Sequence, residues 1–341
     1  MSPSGDRREQ DGASAGGREV EDELDVVVVG GGAAGLAAAS WLARYRRLVA
    51  VVDSEEHRSA QVETSHGYLG RDPQVPRELI ERCRQEVLAY PTARLVRGCV
   101  VQARQLGERR FAVRLDDGRE LHARRLVLAC GVVDVRPPAP GIEEHYGASV
   151  FHCPSCDGYE ARGRDVVAMG WDAHLAGFAG QLLGWARSVT VVTAGRRFSG
   201  DAATRAVLER HGVAVLEEEV RELVGPRGDL RSVRLVSGRE LPCSLVFFSV
   251  EHRPRVELAV SLGCELDADG YVAVNDCGRT SGEGVYAAGD LVPGLQLTQI
   301  AAAKGVVAGV GCAQSFLGED TAPQAPAAPP DVSAERAGAT S

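Results

Sequence analysis

The sequence of 341 residues lacks several features that would assign it to other classes of protein. No run approaches the roughly 20 uninterrupted apolar residues of a membrane span. The first twenty residues also contain no apolar segment of the kind found in export signals. We therefore expect a cytoplasmic protein with no membrane partner. Basic residues are not in excess, because 38 Lys and Arg face 47 Asp and Glu and leave a net charge of −9. This balance argues against a nucleic-acid partner.

The cysteines do not form the pattern of a disulfide framework or of a structural zinc site. There are nine, an odd number scattered over a long chain, and only Cys153 and Cys156 lie close together. A zinc site would normally show a second close pair of Cys or His residues, so we expect no metal. The other seven, expected to be small buried hydrophobic residues, are Cys83, Cys99, Cys130, Cys243, Cys264, Cys277 and Cys312.

Apolar strand-like runs alternate with amphipathic stretches along most of the chain, which is typical of an α/β protein with parallel sheets. Residues 1–22 and 319–341 lack hydrophobic periodicity and are expected to be disordered tails. We predict two Rossmann-like, three-layer nucleotide-binding domains, with the second inserted into the first. The first domain is predicted to comprise residues 24–148 and 280–318, and the inserted domain residues 149–279.

The same patterns predict the individual elements. The predicted strands are 24–29, 48–52, 95–101, 110–115, 125–129, 165–169, 189–192, 232–236, 244–249 and one within 284–290. The predicted helices are 36–45, a stretch that follows Pro76, 173–186 and 299–316.

A glycine-rich loop follows the first predicted strand and opens the first helix. Its residues are Gly30, Gly32, Ala33, Ala34 and Gly35. The glycines allow a tight turn and close approach to a pyrophosphate, whose charge the helix N-terminus also favours. Asp53, at the end of the second strand, is placed to accept hydrogen bonds from an adenosine ribose. The loop therefore predicts a dinucleotide site, and on its own it fits FAD and NAD(P) equally well.

The segment around the close cysteine pair predicts redox chemistry. Cys153 and Cys156, separated by two residues, can close a small disulfide ring that is suited to thiol–disulfide exchange. Asp157 could move protons as a thiolate attacks or leaves, and His152 is a second candidate for that work. Half of a zinc site and two structural thiols are the alternatives. The dinucleotide loop on the same chain favours a redox pair.

These motifs together resemble the low-molecular-weight thioredoxin reductase group of the pyridine-nucleotide-disulfide oxidoreductases, over roughly residues 24–316. The segment Gly284 to Asp290 resembles the second FAD signature of that family, and Leu128 to Gly131 resembles its Ala-Thr-Gly turn. The resemblance implies that FAD is the cofactor. The further residues that it implies for the flavin site are Gly131, Gly289, Asp290 and Gln299.

The same resemblance assigns roles around the cysteines. It implies that Cys156 faces the flavin, that Cys153 exchanges with the substrate and that Asp157 is the acid/base. The family forms homodimers, so a homodimer is expected here as well.

Two segments depart from thioredoxin reductases. The expected NADPH loop of the second domain begins at Gly170, but Asp172 stands where a pyrophosphate must approach, and Leu175 lacks the small size needed for close packing. NADPH binding is therefore doubtful, although Arg196 and Arg197 leave a shifted phosphate contact open.

The second departure is the segment from residue 63 to residue 72, which contains His66, Gly67, Tyr68 and Leu69. It resembles the His-Gly-Phe-Leu segment of the dithiol oxidases that close disulfides in natural products of the gliotoxin, holomycin and romidepsin type. His66 is either a residue of the flavin pocket or an ordinary surface histidine.

The sequence thus predicts an FAD-dependent thiol–disulfide oxidoreductase. The leading hypothesis is an oxidase that forms a disulfide in a small dithiol and passes the electrons to molecular oxygen. The alternatives are an NADPH-dependent reductase of thioredoxin or of a small disulfide, and a redox sensor that turns nothing over.

Overall fold

The computed structural model describes residues 23–317. The predicted tails, 1–22 and 319–341, lie outside the described residues. Within this part of the chain the strands form four sheets of seven, five, three and two strands. None of the helices between residues 23 and 317 is long and apolar enough to cross a bilayer.

The strands, in chain order, are β1 (Leu24–Val29), β2 (Val49–Asp53), β3 (Ala93–Arg97), β4 (Val100–Gly107), β5 (Arg110–Leu115), β6 (Glu120–Leu128), β7 (Val132–Val135), β8 (Val150–Phe151), β9 (Asp165–Met169), β10 (Ser188–Val192), β11 (Ala214–Leu216), β12 (Val220–Val224), β13 (Ser232–Leu235), β14 (Glu240–Pro242), β15 (Leu245–Phe248), β16 (Glu251–Pro254) and β17 (Val285–Ala287).

The α-helices, in chain order, are α1 (Ala33–Arg44), α2 (Pro76–Leu88), α3 (Ile142–His145), α4 (Pro154–Asp157), α5 (Leu175–Leu182), α6 (Ala202–Arg210), α7 (Glu257–Ser261) and α8 (Thr298–Gln314).

The seven-stranded sheet forms the first unit. Its order is β3-β2-β1-β6-β5-β4, and β17 pairs with the second half of β6. The pairs between β3, β2, β1 and β6 are parallel, as is the pair of β17 with β6, whereas β4 and β5 are antiparallel additions. Alternate residues of β1 enter two different cores, because both faces of the sheet are covered: Val26 and Val28 pack under α1 and α8, and Val27 and Val29 pack on the opposite face.

The second unit is built on a five-stranded parallel sheet in the order β11-β10-β9-β15-β8, with cores on both faces. A separate antiparallel sheet, β12-β13-β14, packs on one of these cores. Two nucleotide-binding-like sheets on one chain confirm the predicted α/β class and the two Rossmann-like units. The two-stranded ribbon pairs β7 with β16. The chain runs from the first unit through β7 into the second unit, and it returns to the first unit through β16.

Two element predictions were wrong in detail. The strand predicted at 95–101 is two strands, because the chain turns at Gly98, whose φ of +147° allows the turn. The helix predicted at 173–186 is limited to Leu175–Leu182, and a turn that contains Gly184 follows it.

The domain boundaries remain predictions, but packing bears on one of them. Val256, Ala259 and Val272 precede the predicted return to the first domain at residue 280, yet they pack in the core of the seven-stranded sheet. Their apolar side chains therefore belong, by contact, with the first unit.

Only some of the seven other cysteines are buried as predicted. Cys243, Cys264 and Cys312 are buried, Cys83 and Cys130 are half-buried, and Cys99 and Cys277 are exposed in connecting segments.

Candidate active site

The cysteine pair lies directly after β8, at the start of the short helix α4. Cys153 and Cys156 form a disulfide with their Cα atoms 5.2 Å apart. Pro154 occupies the first helical position, where its fixed φ suits the turn and no amide donor is needed. The amide of Cys156 donates a hydrogen bond to the sulfur of Cys153 at 3.1 Å. Both cysteines are half-buried, so the disulfide borders on solvent.

Asp157 follows the pair and is 8% exposed. Burial, helped by the negative charge of Glu160, raises the pKa of Asp157 to about 7, while His66 acts in the opposite direction. Near neutral pH the carboxyl group is therefore divided between its protonated and ionised forms. That division suits a group that both gives and takes protons.

His152 points its ring nitrogens away from this chemistry. Nδ1 lies 2.9 Å from the hydroxyl of Tyr146, and Nε2 lies 3.8 Å from Asp134. Burial lowers the pKa of His152 to about 4, so the ring is neutral at ordinary pH. Both nitrogens thus face partners other than the cysteines, and a catalytic role for His152 stays a prediction.

A buried arginine connects the redox segment to the predicted flavin site. Arg58 donates to both carboxylate oxygens of Asp134, at 2.8 and 2.5 Å. Its Nη1 donates to Asp290 at 2.9 Å and to Gln296 at 2.8 Å. Although burial opposes it, hydrogen bonds from His252 and Arg58 lower the pKa of Asp134. No motif pointed to Arg58, which lies in a polar loop between β2 and α2.

The glycine loop has the form that a dinucleotide requires. Gly30 has a φ of +110°, and a Cβ there would lie 2.4 Å from the carbonyl oxygen of Ala129. At Gly35 a Cβ would lie 1.8 Å from the carbonyl oxygen of Gly30, so the loop and α1 pack closely. At Gly32 and Gly131, by contrast, a Cβ would meet no protein atom within 4 Å. The backbone of these two residues therefore borders open space, which a larger residue would fill with its side chain. This cradle fits a bound pyrophosphate.

Asp53 lies against the same loop, since a Cβ on Gly31 would be 2.2 Å from its carboxyl group. Its Oδ1 accepts a hydrogen bond from the amide of Glu55 at 2.8 Å, and its Oδ2 accepts one from Arg84 of α2 at 2.7 Å. Arg84 was not predicted, because its place beside Asp53 depends on how α2 packs. The predicted contact of Asp53 with a ribose stays a prediction.

The C-terminal part of the site packs on the start of α1. A Cβ on Gly289 would lie 2.7 Å from the Cβ of Ala34, and one on Gly305 of α8 would lie 2.1 Å from the carbonyl oxygen of Ala34. Asp290 follows Gly289, and its Oδ1 is buried without a hydrogen-bond partner in the described residues. An orphaned acceptor beside the glycine cradle fits a cofactor hydroxyl group. Gln299 is exposed at the start of α8.

Side chains of the protein contact one another around the second glycine loop, after β9. The guanidinium of Arg196 stacks 3.9 Å from the ring centre of Trp171. Oδ1 of Asp172 accepts a hydrogen bond from the amide of His174 at 3.0 Å, just before α5. Leu175 packs against Gly170, where a third small residue would be needed for close helix packing. The carboxylate of Asp172 thus lies just before the start of α5.

His66 lies beside the redox segment. Its Nδ1 lies 2.8 Å from Asp72, within a hairpin that is closed by the bridge between Ser65 and Gln74. Its Nε2 lies 3.5 Å from Glu160, three residues after Asp157. A contact between His66 and flavin stays a prediction.

The loop that contains Arg58 also runs along the second unit. Arg227, between β12 and β13, donates to the carbonyl oxygen of Gln61 at 3.1 Å and to Glu63 at 2.8 Å. The amide of Glu63 donates to the carbonyl oxygen of Gly147 at 3.0 Å. The 58–66 loop therefore joins the two units near the cysteines.

Comparison with known proteins was made against family models, curated sequences and solved structures. The family model for pyridine nucleotide-disulphide oxidoreductases matches residues 24–305. The chain belongs to this family. Its members are flavoproteins in which the use of NAD(P)H is typical. The chain is therefore an oxidoreductase, as predicted.

Individual relatives support the family. The chain is 30% identical over 305 residues to the thioredoxin reductase tcpT of Claviceps purpurea (strain 20.1), a match that covers 87% of this chain and 95% of tcpT. It is 34% identical over 314 residues to the thioredoxin reductase of Mycolicibacterium smegmatis, with coverage of 86% and 95%.

Solved structures of the family are also similar. The structure of HlmI matches with a TM-score of 0.82 at 36% identity, over 87% of this chain and 93% of HlmI. A putative thioredoxin reductase, TrxB, from Bacillus anthracis matches with a TM-score of 0.80 at 29% identity, over 86% and 98%. These matches confirm the resemblance to the thioredoxin reductase group.

Proposed function

We propose that the protein is an FAD-dependent dithiol oxidase that forms a disulfide in a small molecule. Electrons pass from the substrate dithiol to the disulfide of Cys153 and Cys156, then to FAD and finally to molecular oxygen. The residues that would hold FAD are the glycine loop with Asp53, and Asp290 in the turn after β17. When bound, FAD supplies a two-electron acceptor that oxygen can reoxidise.

The observation that supports the proposal is the carboxylate of Asp172 in the second glycine loop. The pyrophosphate of a nicotinamide cofactor would have to bind beside the start of α5. The carboxylate of Asp172 lies there and accepts a hydrogen bond from the amide of His174. Placing phosphate charges next to this carboxylate is unfavourable. Arg196, which could otherwise reach a phosphate, stacks on Trp171. The resemblance of residues 63–72 to the dithiol oxidases supports the same conclusion.

The chemistry at the cysteines is a thiol–disulfide exchange. A substrate thiolate attacks the sulfur of Cys153, the bond between the two cysteine sulfurs breaks, and Cys156 leaves as a thiolate. The second substrate thiol then loses its proton and attacks the mixed disulfide, which releases the oxidised substrate and the Cys153 thiolate. Two S–H bonds of the substrate are thus replaced by one S–S bond, and two electrons and two protons pass to the enzyme. Asp157, whose pKa burial raises to about 7, would accept and return these protons.

The relatives named thioredoxin reductase favour a second candidate, an NADPH-dependent disulfide reductase. The exposed side chain of Arg197 would supply its phosphate contact. In that case electrons would run in the opposite direction, from NADPH to FAD and on to the cysteine pair.

Anaerobic flavin absorbance separates the two candidates. The FAD-loaded protein is titrated with dithiothreitol and, separately, with NADPH. We expect the dithiol to bleach the flavin, NADPH to leave it oxidised, and readmitted air to restore the colour with release of hydrogen peroxide. Rapid bleaching by one equivalent of NADPH would make the protein a reductase. No bleaching by either compound would support the redox sensor.

The cysteine pair is tested in the same experiment. Replacing Cys153 and Cys156 by Ser should abolish bleaching by dithiothreitol but leave bleaching by dithionite intact. Cys99→Ser is the matched control, because Cys99 is exposed in the turn between β3 and β4 and should not affect either reaction. The predicted homodimer is checked separately by light scattering of the same preparations.

A further inference from the structure

A line of ionisable groups leads from the redox helix to the protein surface. Asp157 ends α4, and Glu160 lies three residues later in a 3-10 turn, Tyr159–Ala161. Glu160 Oε1 lies 3.5 Å from Nε2 of His66, and Nδ1 of His66 lies 2.8 Å from Oδ1 of Asp72. Asp72 is exposed. The contacts therefore run from Glu160, whose charge acts on the buried carboxyl group of Asp157, to solvent at Asp72.

Each intermediate group is set up to exchange protons. Asp72 also accepts a hydrogen bond from the amide of Gly67 at 3.0 Å. The hydrogen bonds from Gly67 and His66 lower the pKa of Asp72, so its carboxyl group is ionised at neutral pH. A carboxylate at Nδ1 sets the orientation of an imidazole and leaves Nε2 to exchange a proton. Oε2 of Glu160 is buried and has no hydrogen-bond partner in the described part of the chain. An orphaned acceptor of this kind at a functional site needs an explanation beyond stability.

The reaction requires a route for protons at this place. Each substrate molecule delivers two protons to the cysteine pair and its neighbours, and Asp157 must return to its starting state before the next turnover. Asp157 is 8% exposed, so direct exchange with bulk water is restricted. The titratable groups that act on the pKa of Asp157 are Glu160 on the same turn and His66 on the hairpin of residues 65–74, and the charge of Asp157 in turn raises the pKa of Tyr146, after α3. Of these, Glu160 and His66 continue outward.

We propose that Glu160 and His66 pass protons between Asp157 and the solvent, and that Asp72 holds the imidazole in position. The proposal rests on the dithiol-oxidase function stated above, and in particular on Asp157 as the proton acceptor. It makes His66 and Glu160 positioning and relay residues that act through Asp157, without contact with the substrate.

The test measures reduction of the cysteine pair itself. FAD-loaded protein is mixed anaerobically with dithiothreitol, quenched with acid, and assayed for free thiols at a series of pH values. We expect His66→Gln and Glu160→Gln to slow reduction about tenfold near neutral pH, a fraction of the usual general acid–base effect because Asp157 remains. His122→Gln is the matched control, since His122 forms a similar pair with Glu120 at 3.0 Å, remote from the cysteines, and it should react like the wild type.

The pH profile distinguishes a relay from a merely electrostatic or structural effect. The charge of Glu160 raises the pKa of Asp157 and that of His66 lowers it, so the two substitutions should shift the profile in opposite directions while both slow the reaction. Added imidazole should restore much of the rate of His66→Ala. The relay would be overturned if His66→Gln and Glu160→Gln were reduced at the wild-type rate. It would also be overturned if imidazole did not restore the reduction rate of a folded His66→Ala protein.

Failure of the proposed function gives a different result. In that case dithiothreitol would not reduce the pair in the wild type, and no peroxide would follow in air. The relay is then tested in reverse, by oxidising the chemically reduced pair with 2-hydroxyethyl disulfide. The same slowing in His66→Gln and Glu160→Gln relative to His122→Gln would support it, and equal rates would overturn it.

Discussion

Asp157 links the redox chemistry to the stability of the protein. Its pKa is raised by burial from 3.8 to about 7. Between these two pH values the folded protein holds a proton that the unfolded chain has released. The stability of the folded state therefore falls as pH rises through this window, and the loss is complete above about pH 7. A structural carboxylate in an ion pair would show the opposite trend.

We predict that Asp157→Asn removes this loss of stability with rising pH. Asparagine is neutral at all pH values, so the free energy of unfolding should fall less than in the wild type between about pH 4 and about pH 8. The difference should be on the order of a few kcal/mol, as the shift in pKa implies. It is measured by urea unfolding of the oxidised protein. Asp276→Asn, at an exposed position, is the control. An identical pH dependence in Asp157→Asn and the wild type would contradict a raised pKa.

The elements differ in how far the sequence predicts them. The first glycine loop and α8 were predicted to within a few residues, because strand, turn and helix follow one another locally. The contacts of Arg58, Arg84 and Arg227 could not be predicted, since each joins segments that are distant in sequence. The same applies to His66, whose neighbour Glu160 belongs to the other unit. Local patterns thus predict the cofactor loop, and tertiary packing decides what surrounds the cysteines.

The packing of α8 on α1 gives a test at the level of elements. We expect Gly305→Ala to destabilise the protein by about 1–3 kcal/mol and to lower the FAD content, because its methyl group would overlap the backbone of Ala34. Gly177→Ala in α5 is the matched control, since a Cβ there meets no atom within 4 Å. Its gain in helix propensity should make it neutral or stabilising. Urea unfolding and the flavin-to-protein absorbance ratio measure both variants. A normal FAD content in Gly305→Ala would contradict the close packing.

At the scale of the whole molecule, the 58–66 loop joins the two units through several independent contacts. Arg58 donates hydrogen bonds to both Asp134 and Asp290. Gln61 accepts a hydrogen bond from Arg227, and Glu63 donates one to Gly147. These contacts hold one loop between the segment that leads to the cysteines and the predicted flavin site.

We predict that Arg227→Met loosens this loop. Arg227 donates to Gln61 and Glu63 and also to the carbonyl oxygens of Glu144 and Tyr146, which precede β8. Hydrogen exchange of the amides in residues 58–66 should accelerate about tenfold, which corresponds to about 1.4 kcal/mol of lost local stability.

The matched control is Arg231→Met, because Arg231 is exposed at the start of β13 and pairs only locally, with Asp229 at 3.1 Å. Its exchange should equal that of the wild type. If both variants exchange alike, Arg227 does not hold the loop. If Arg227→Met exchanges faster and also slows reduction of the cysteine pair by dithiothreitol, then the position of the second unit limits the reaction, because Arg227 does not itself belong to the redox segment.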